Sequence, residues 1–210
     1  MQTILDSALL APNSSNLQAW KFFWVKNIEK KKELAKACLG QSAARTAPEL
    51  IVCVARTNTW KQNAKDLVKL MESESPVELP KIVYQYYQKI VPIAYSQGPF
   101  GLWGLIKKMG SCIRGISKVT PREPASINDM KVWAAKSTAL AAQNIMLTAR
   151  ALGYDSCPME GYDSKRVGKI IGIEKGDFPI IVISIGKRSE KGVYGPQFRL
   201  PRERFIEILD

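Results

Sequence analysis

The sequence predicts a single-domain α+β fold, because strand-like apolar runs alternate with helical segments along a chain of 210 residues. Three runs are rich in aliphatic or aromatic residues, at 21–25, 50–56 and 178–185, and the last two are continuous, as in strands buried on both faces. A long alanine-rich segment of helical spacing lies between the second and third runs and ends at Gly153. With 46% hydrophobic residues, a chain of this length can bury one core and is short for two.

Periodicity and end signals predict the helices. A short helix at 3–10 is stopped by Pro12, and a lysine-rich helix at 28–38 ends near Gly40. We expect Asp129 to cap the long helix, which runs through Leu152 and carries one face of small residues, namely Ala135, Ala139, Ala142, Met146 and Ala149. A short element is expected at 204–209.

The middle of the chain, residues 57–128, is polar, charged and aromatic. It shows helical patches at 64–71 and 81–90, followed by glycine-punctuated sequence from 98 to 115 that is loop-like around 98–104. The spacing of Gly98, Gly101 and Gly104 is not the GxGxxG that follows a strand in dinucleotide-binding folds, so a tightly held nicotinamide is not expected.

Composition excludes several kinds of chemistry. The chain has no histidine, which removes Ser-His-Asp and Cys-His catalysis and most zinc sites, so we expect no metal.

Four cysteines lie far apart without a CxxC pair, no secretory signal opens the chain, and no apolar run approaches the roughly 20 residues of a membrane span. We therefore expect a cytoplasmic protein. The net charge of +12 favours a polyanionic ligand, or equally a solvated basic surface.

One motif follows Gly153 closely. Pro158, Met159, Glu160 and Gly161 form a Pro-x-Glu-Gly sequence, interpreted as a turn that directs backbone N–H groups outward. Backbone donors of this kind suit the N5 atom of a flavin. Taken alone, the same four residues are more often an ordinary helix-to-loop connection.

A second motif lies near the start of the chain, Ala-Pro-Asn-Ser-Ser-Asn-Leu-Gln-Ala-Trp at residues 11–20. Its short polar side chains offer donors and acceptors at low conformational cost, as a ring's carbonyls and ribityl hydroxyls require. Taken alone, it is a turn.

Together, in this order and about 140 residues apart, the two motifs resemble those of the FMN-dependent nitroreductase family, which has an APSSxNxQPW-like loop and a later PxEG turn. The resemblance implies a three-layer homodimeric fold with a mostly antiparallel central sheet flanked by helices. It also implies FMN as cofactor, NADH or NADPH as transient co-substrate, and nitroaromatic, quinone or related electrophilic acceptors.

The resemblance also assigns site residues. The backbone at Glu160 or Gly161 would contact the flavin N5, and the flavin, with no catalytic side chain, would perform the chemistry. The expected cofactor-binding residues are Pro12, Asn13, Ser14, Ser15, Asn16, Gln18, Pro158, Met159, Glu160, Gly161, Lys187, Arg188 and Arg199. Each flavin is expected between two subunits, with the Ser14/Asn16 loop of one and the Glu160 turn of the other.

Two departures from the family pattern concern the flavin phosphate. Residues 196–201 are similar to a late basic-x-Arg-Leu-Pro segment, with Arg199 in the arginine position and Gln197 where lysine is usual; Lys187 and Arg188 could substitute. The usual Arg-Arg-Ser-x-Arg helix is absent before Met1, so either the sequence is incomplete or FMN is held by fewer cations.

The middle segment, residues 57–128, lies where the family places its variable substrate-side helices, so it is expected to be a helical insert that covers the open flavin face. Its substrate-side residues are expected to be Phe100 and Trp103, among the aromatic group Tyr84, Tyr87, Tyr95, Phe100 and Trp103. The alternative is that these rings pack into the core. Two rival functions stay open: a flavin-binding or flavin-free relative without turnover, and a basic protein that binds nucleic acid or a membrane surface. We expect no specific nucleic acid partner, because no recognisable nucleic-acid-binding motif is present.

Overall fold

A single antiparallel sheet runs through the centre of the molecule. The structure is a computed structural model that describes residues 1–193 and 195–209, with only the backbone for Phe100 and Lys191. Within these ranges the strands are β1 (Trp20–Val25), β2 (Glu49–Arg56), β3 (Asp155–Met159) and β4 (Asp177–Gly186). Their order is β1-β2-β4-β3 and each neighbouring pair is antiparallel. The apolar strands β2 and β4 are central, as their continuous hydrophobic runs predict.

Helices cover both faces of this sheet. In the described part of the chain they are α1 (Gln2–Leu9), α2 (Ile28–Ala37), α3 (Ser42–Thr46), α4 (Trp60–Glu74), α5 (Lys81–Gln85), α6 (Val91–Tyr95), α7 (Leu102–Arg114), α8 (Ile127–Ala151) and α9 (Ser164–Ile171). A π-helical turn, Tyr86–Ile90, joins α5 to α6.

Alternate residues of β2 point to opposite faces and so enter different cores. Ile51 and Cys53 pack with α1 and α8, whereas Leu50, Val52 and Val54 pack with α2 and α9. A third cluster continues the α8 face and joins Leu17, Ala19 and Ala55 to the middle segment through Tyr95 and Trp133. The three-layer, antiparallel architecture expected from the resemblance is confirmed.

Three short elements differ from the sequence predictions. Residues 155–159 form the edge strand β3, so Pro158 and Met159 lie in a strand and not in a turn. The prediction missed this strand because it is short and contains a proline, which sheets tolerate mainly at their edges. The helix α9 was also missed, and the expected terminal element at 204–209 is reduced to a single 3₁₀ turn at Arg202–Arg204.

The loop-like interpretation of the glycines at 98–104 was wrong from residue 102 onward. Residues 102–114 form the helix α7, in which Gly104 is buried. A Cβ at Gly104 would lie 2.1 Å from the carbonyl oxygen of Ala125, so glycine permits close packing here and does not break the helix.

The long helix α8 begins one turn earlier than predicted. Its N-cap is Ser126, whose hydroxyl accepts from the Asp129 N–H at 3.0 Å, while one Asp129 oxygen accepts from the N–H groups of Ala125 and Ser126 at 2.8 Å each. Asp129 is therefore the third residue of a capping box and not the cap itself. The expected small-residue face is divided, since Ala142 and Ala149 are buried but Ala139 is exposed. Gly153 ends the helix region with φ of 82°, as predicted.

Candidate functional site

The polar loop before β1 has an unusual backbone. Ser15, Asn16 and Gln18 have positive φ angles of 58°, 50° and 49°. Side chains other than glycine rarely adopt this left-handed region, and each such residue costs of order 1 kcal/mol unless its surroundings hold it in place. Strained backbone of this kind clusters at functional sites.

Hydroxyl groups from the middle segment hold this loop. Ser14 Oγ lies 2.9 Å from the Tyr95 hydroxyl, and Ser15 Oγ lies 2.7 Å from the Tyr86 hydroxyl. Tyr87 donates to the Ser15 carbonyl at 3.2 Å. The loop is therefore fixed in its strained shape by three tyrosines of the middle segment.

Asn13 fixes the other end of the loop, because its Oδ1 accepts from the Gln18 N–H at 2.8 Å. The side chains of Asn13 and Ser14 also line a groove of about 310 Å³ against α8. Trp133 lines the same groove, and its buried Nε1 is a donor without a hydrogen-bond partner among the described residues. A buried unpaired donor costs about 1–3 kcal/mol.

Sequence reasoning missed the part that Tyr86 and Trp133 play here. No local pattern connects them to residues 13–18, because the contacts span 71 residues or more along the chain. Tyr95, expected among the aromatic residues over the flavin, is 5% exposed and its ring centroid is 4.7 Å from that of Trp133. For Tyr95, the core-packing alternative is the one the structure supports.

The Pro-x-Glu-Gly motif lies where β3 ends. The Met159 side chain is 2% exposed and packs in the α2 and α9 core, which anchors the chain at this point. Glu160 and Gly161 follow on the exposed rim, and the Gly161 carbonyl accepts from Gln41 Nε2 at 2.8 Å. Burial, and then the charge of Glu160, raise the pKa of the adjacent Tyr162 hydroxyl to about 12, so this phenol stays protonated at neutral pH.

Two of the expected phosphate-binding cations lie at the opposite end of β3 from this motif. Lys187 and Arg188 are exposed directly after β4, beside the start of β3, where Arg188 Nε is 3.4 Å from Asp155. Asp155 also pairs with Arg150 at 2.8 Å. Arg199 lies in the exposed C-terminal segment and donates to the Phe198 carbonyl at 2.7 Å.

The two motifs lie at opposite edges of the sheet. The polar loop leads into β1 at one edge, and Glu160 follows β3 at the other. Three strand intervals of about 4.8 Å separate those edges, or about 14 Å. A single subunit therefore does not bring the two motifs together.

Of the two expected substrate-side residues, Trp103 is 40% exposed at the start of α7, against Gly98. The Phe100 side chain lies outside the described residues. In the part of the chain that the structure describes, no group of three acidic, cysteine or histidine side chains could hold a metal ion. No described helix is long and apolar enough to cross a membrane.

Comparison with known proteins identifies the class to which this fold and loop belong. A sequence model described as the Nitroreductase family matches residues 1–96 and 112–187. The chain belongs to the nitroreductase family, as its motifs indicate.

Individual relatives agree over nearly the whole chain. YdgI of Bacillus subtilis, named as a candidate NAD(P)H nitroreductase, is 28% identical over 99% of this chain and 85% of its own length. A candidate nitroreductase of Exiguobacterium sibiricum, solved in complex with FMN, is 26% identical with a TM-score of 0.70, covering 100% of this chain and 85% of its own. A candidate NAD(P)H:FMN oxidoreductase of Staphylococcus epidermidis has a TM-score of 0.74 at 23% identity, covering 100% and 84%, and supports the fold.

Proposed function

We propose that the protein is an FMN-dependent oxidoreductase that uses NADH or NADPH to reduce nitroaromatic, quinone or related electrophilic acceptors. When bound, FMN would supply the hydride chemistry. The observation that carries the proposal is the strained polar loop at residues 13–18, held in place by Tyr86, Tyr87 and Tyr95 in a member of the nitroreductase family. A protein maintains such strain where a ligand requires a particular backbone shape.

The donor set of this loop fits a flavin. Amides such as those of Asn16 and Gln18 both donate and accept, which matches the alternating carbonyl and N–H groups along the ring edge. Ser14 and Ser15 are already bonded to tyrosine hydroxyls, so their proposed role is to shape the loop and to offer remaining hydrogen-bonding capacity.

The turn after β3 is proposed to supply the backbone donor for the flavin N5. Met159 anchors it in the core, and this holds the exposed Glu160 and Gly161 at a fixed place on the rim. A backbone N–H is a donor that does not titrate, and it suits the N5 of the oxidised ring, which is an acceptor.

We propose that the positive charge that binds the flavin phosphate comes from Lys187, Arg188 and Arg199. Arg188 shares Asp155 with Arg150, so a phosphate at this place would compete with the carboxylate for its guanidinium. Lys187 and Arg199 have no ion pair among the described residues.

We infer that two copies of the chain form the complete site. The opposite placement of the two motifs supports a homodimer, in which the loop of one subunit would meet the turn of the other. Two exposed apolar surfaces support it further. The outer face of α8 exposes Val132, Leu140 and Leu147, and the C-terminal segment exposes Phe198, Leu200, Phe205, Ile206, Ile208 and Leu209.

An absorbance spectrum of the purified protein tests this function. We expect the bands of oxidised flavin, bleaching on anaerobic addition of NADH or NADPH, and recovery when a quinone or nitroaromatic compound is added. A protein that takes up no flavin when FMN is supplied would contradict the proposal and favour a flavin-free relative without turnover.

A further inference from the structure

We propose that α7 is a docking helix for the surface of an anionic lipid bilayer. The proposal is independent of the flavin site. The family sequence model matches residues on either side but not 97–111, which include most of this helix.

The helix is amphipathic, but its apolar face points outward, whereas an ordinary surface helix turns its apolar face inward. Its outward face carries large apolar side chains at spacings of three and four residues, each 57% to 69% exposed: Leu102, Leu105, Ile106, Met109 and Ile113. Ile116 continues this apolar stripe just beyond the helix and is 86% exposed. Surface helices of soluble domains normally turn such a stripe toward the core.

The inward face of α7 is small and polar. Gly104 is buried against the Ala125 carbonyl, and Lys107 Nζ donates to the carbonyl oxygens of Ala94 at 2.7 Å and Pro124 at 2.9 Å. Burial lowers the pKa of this lysine. These contacts fix the helix to the body of the protein by its polar side, so the apolar stripe stays exposed.

Charge identifies the kind of surface that would cover the stripe. Residues 79–122 contain seven lysine or arginine side chains and no aspartate or glutamate. Lys108, Arg114, Lys118 and Arg122 lie on or just after α7 and are exposed. An interfacial helix combines an apolar face with flanking cations, which anionic headgroups attract by about 1 kcal/mol for each cation near the surface.

Other occupants fit less well. A second copy of this surface would place cations opposite cations, which is repulsive. A small electron acceptor could not cover a stripe that extends about 20 Å along the helix. Nucleic acid would use the cations but leave the aliphatic row uncovered.

Vesicle binding by the full chain provides the test. We expect it to bind large unilamellar vesicles of equal parts phosphatidylglycerol and phosphatidylcholine, and to bind vesicles of phosphatidylcholine alone much more weakly. One variant replaces the apolar stripe (Ile106→Ser, Met109→Ser and Ile113→Ser together), and a second reverses the flanking charge (Lys108→Glu with Lys118→Glu). Each should lower the partition coefficient onto anionic vesicles by about ten-fold or more. Matched controls away from α7, Ile28→Ser with Val77→Ser and Lys165→Glu with Lys169→Glu, should retain most of the binding.

A fluorescent label gives a second measurement without changing the stripe. Cys112 in α7 and Cys157 in β3 are exposed, whereas Cys38 and Cys53 are buried. An environment-sensitive label on Cys112, in a Cys157→Ser variant, should shift to the blue on anionic vesicles. The same label on Cys157, in a Cys112→Ser variant, should not. Equal binding to neutral vesicles, unchanged binding by both α7 variants, or identical behaviour of the two labels would overturn the proposal.

Discussion

At the scale of single residues, Arg199 in the C-terminal segment can be compared with a nearby arginine. The comparison distinguishes a specific phosphate contact from a general effect of positive charge. Arg199 and Arg202 are both exposed and three positions apart. We expect Arg199→Ala to weaken FMN binding by about 1–3 kcal/mol, because it removes a charge-assisted hydrogen bond to the phosphate. Isothermal titration of the flavin-free protein with FMN measures this difference. Arg202→Ala removes the same charge and should have little effect; equal losses in the two variants would exclude a specific contact by Arg199.

Asp129 gives the stability of α8 a dependence on pH. The hydrogen bond from the Ala125 N–H, and then those that involve Ser126, hold the pKa of the Asp129 carboxyl below its ordinary value of 3.8. A lowered folded-state pKa stabilises the fold above the ordinary pKa, and this contribution is lost as the pH falls through the folded-state pKa.

We therefore expect Asp129→Asn to lower the free energy of unfolding at neutral pH by about 0.5–1 kcal/mol, a typical contribution of a helix-capping group. The difference from wild type should shrink as the pH falls below about 4. Urea denaturation at several pH values measures it. A difference that stays constant into acid would show that the carboxylate charge is not its source.

At the scale of elements, α7 contains two glycines whose surroundings differ, Gly104 and Gly110. A Cβ at Gly104 would meet the Ala125 carbonyl oxygen at 2.1 Å and Gln97 Oε1 at 2.6 Å, whereas a Cβ at Gly110 would meet nothing within 4 Å. We expect Gly104→Ala to destabilise the docking of the helix by about 1–3 kcal/mol. Gly110→Ala should stabilise the helix by about 0.5–1 kcal/mol. Hydrogen exchange of residues 102–114 distinguishes the two, and equal protection in both variants would contradict the packing described for α7.

Elements with strong local patterns were predictable from the sequence. The apolar runs of β2 and β4 and the alanine-rich α8 were found to within two or three residues. The helix α9 could have been found, because Asp163 accepts from the N–H groups of Lys165 and Arg166 as an N-cap and Gly172 ends the helix at positive φ. The short β3 gave no such signal, and in α7 the glycines were interpreted as breaks because a close helix contact cannot be recognised from sequence.

The candidate site was predictable only in part, because contacts between distant segments cannot be recognised from sequence. The motifs at 13–18 and 158–161 identify a family and its ligand chemistry, but the residues that shape the loop come from distant segments. Tyr86 and Tyr95 reach it across 71 and 81 residues, and nothing local to either tyrosine indicates this contact.

At the scale of the whole molecule, the proposed dimer gives a measurable oligomeric state. Leu147 is 58% exposed on the outer face of α8. We expect Leu147→Asp to raise the dissociation constant of the dimer by about ten-fold or more, because it places a charge in an apolar contact, and to release flavin in parallel. Sedimentation equilibrium with detection at the flavin absorbance measures both. Ile28→Asp changes a residue that is 68% exposed at the start of α2, and it should leave the dimer intact. A wild-type monomer loaded with flavin would end the dimer proposal.

The two edges of the sheet differ in the number of backbone N–H groups that they can offer to a further strand. Pro158 lies in the edge strand β3, and proline has no N–H with which to complete a ladder with an incoming strand. The opposite edge, β1, contains no proline. A strand from another chain would therefore meet one N–H fewer at β3, so the addition of a strand is less favourable at this edge than at β1.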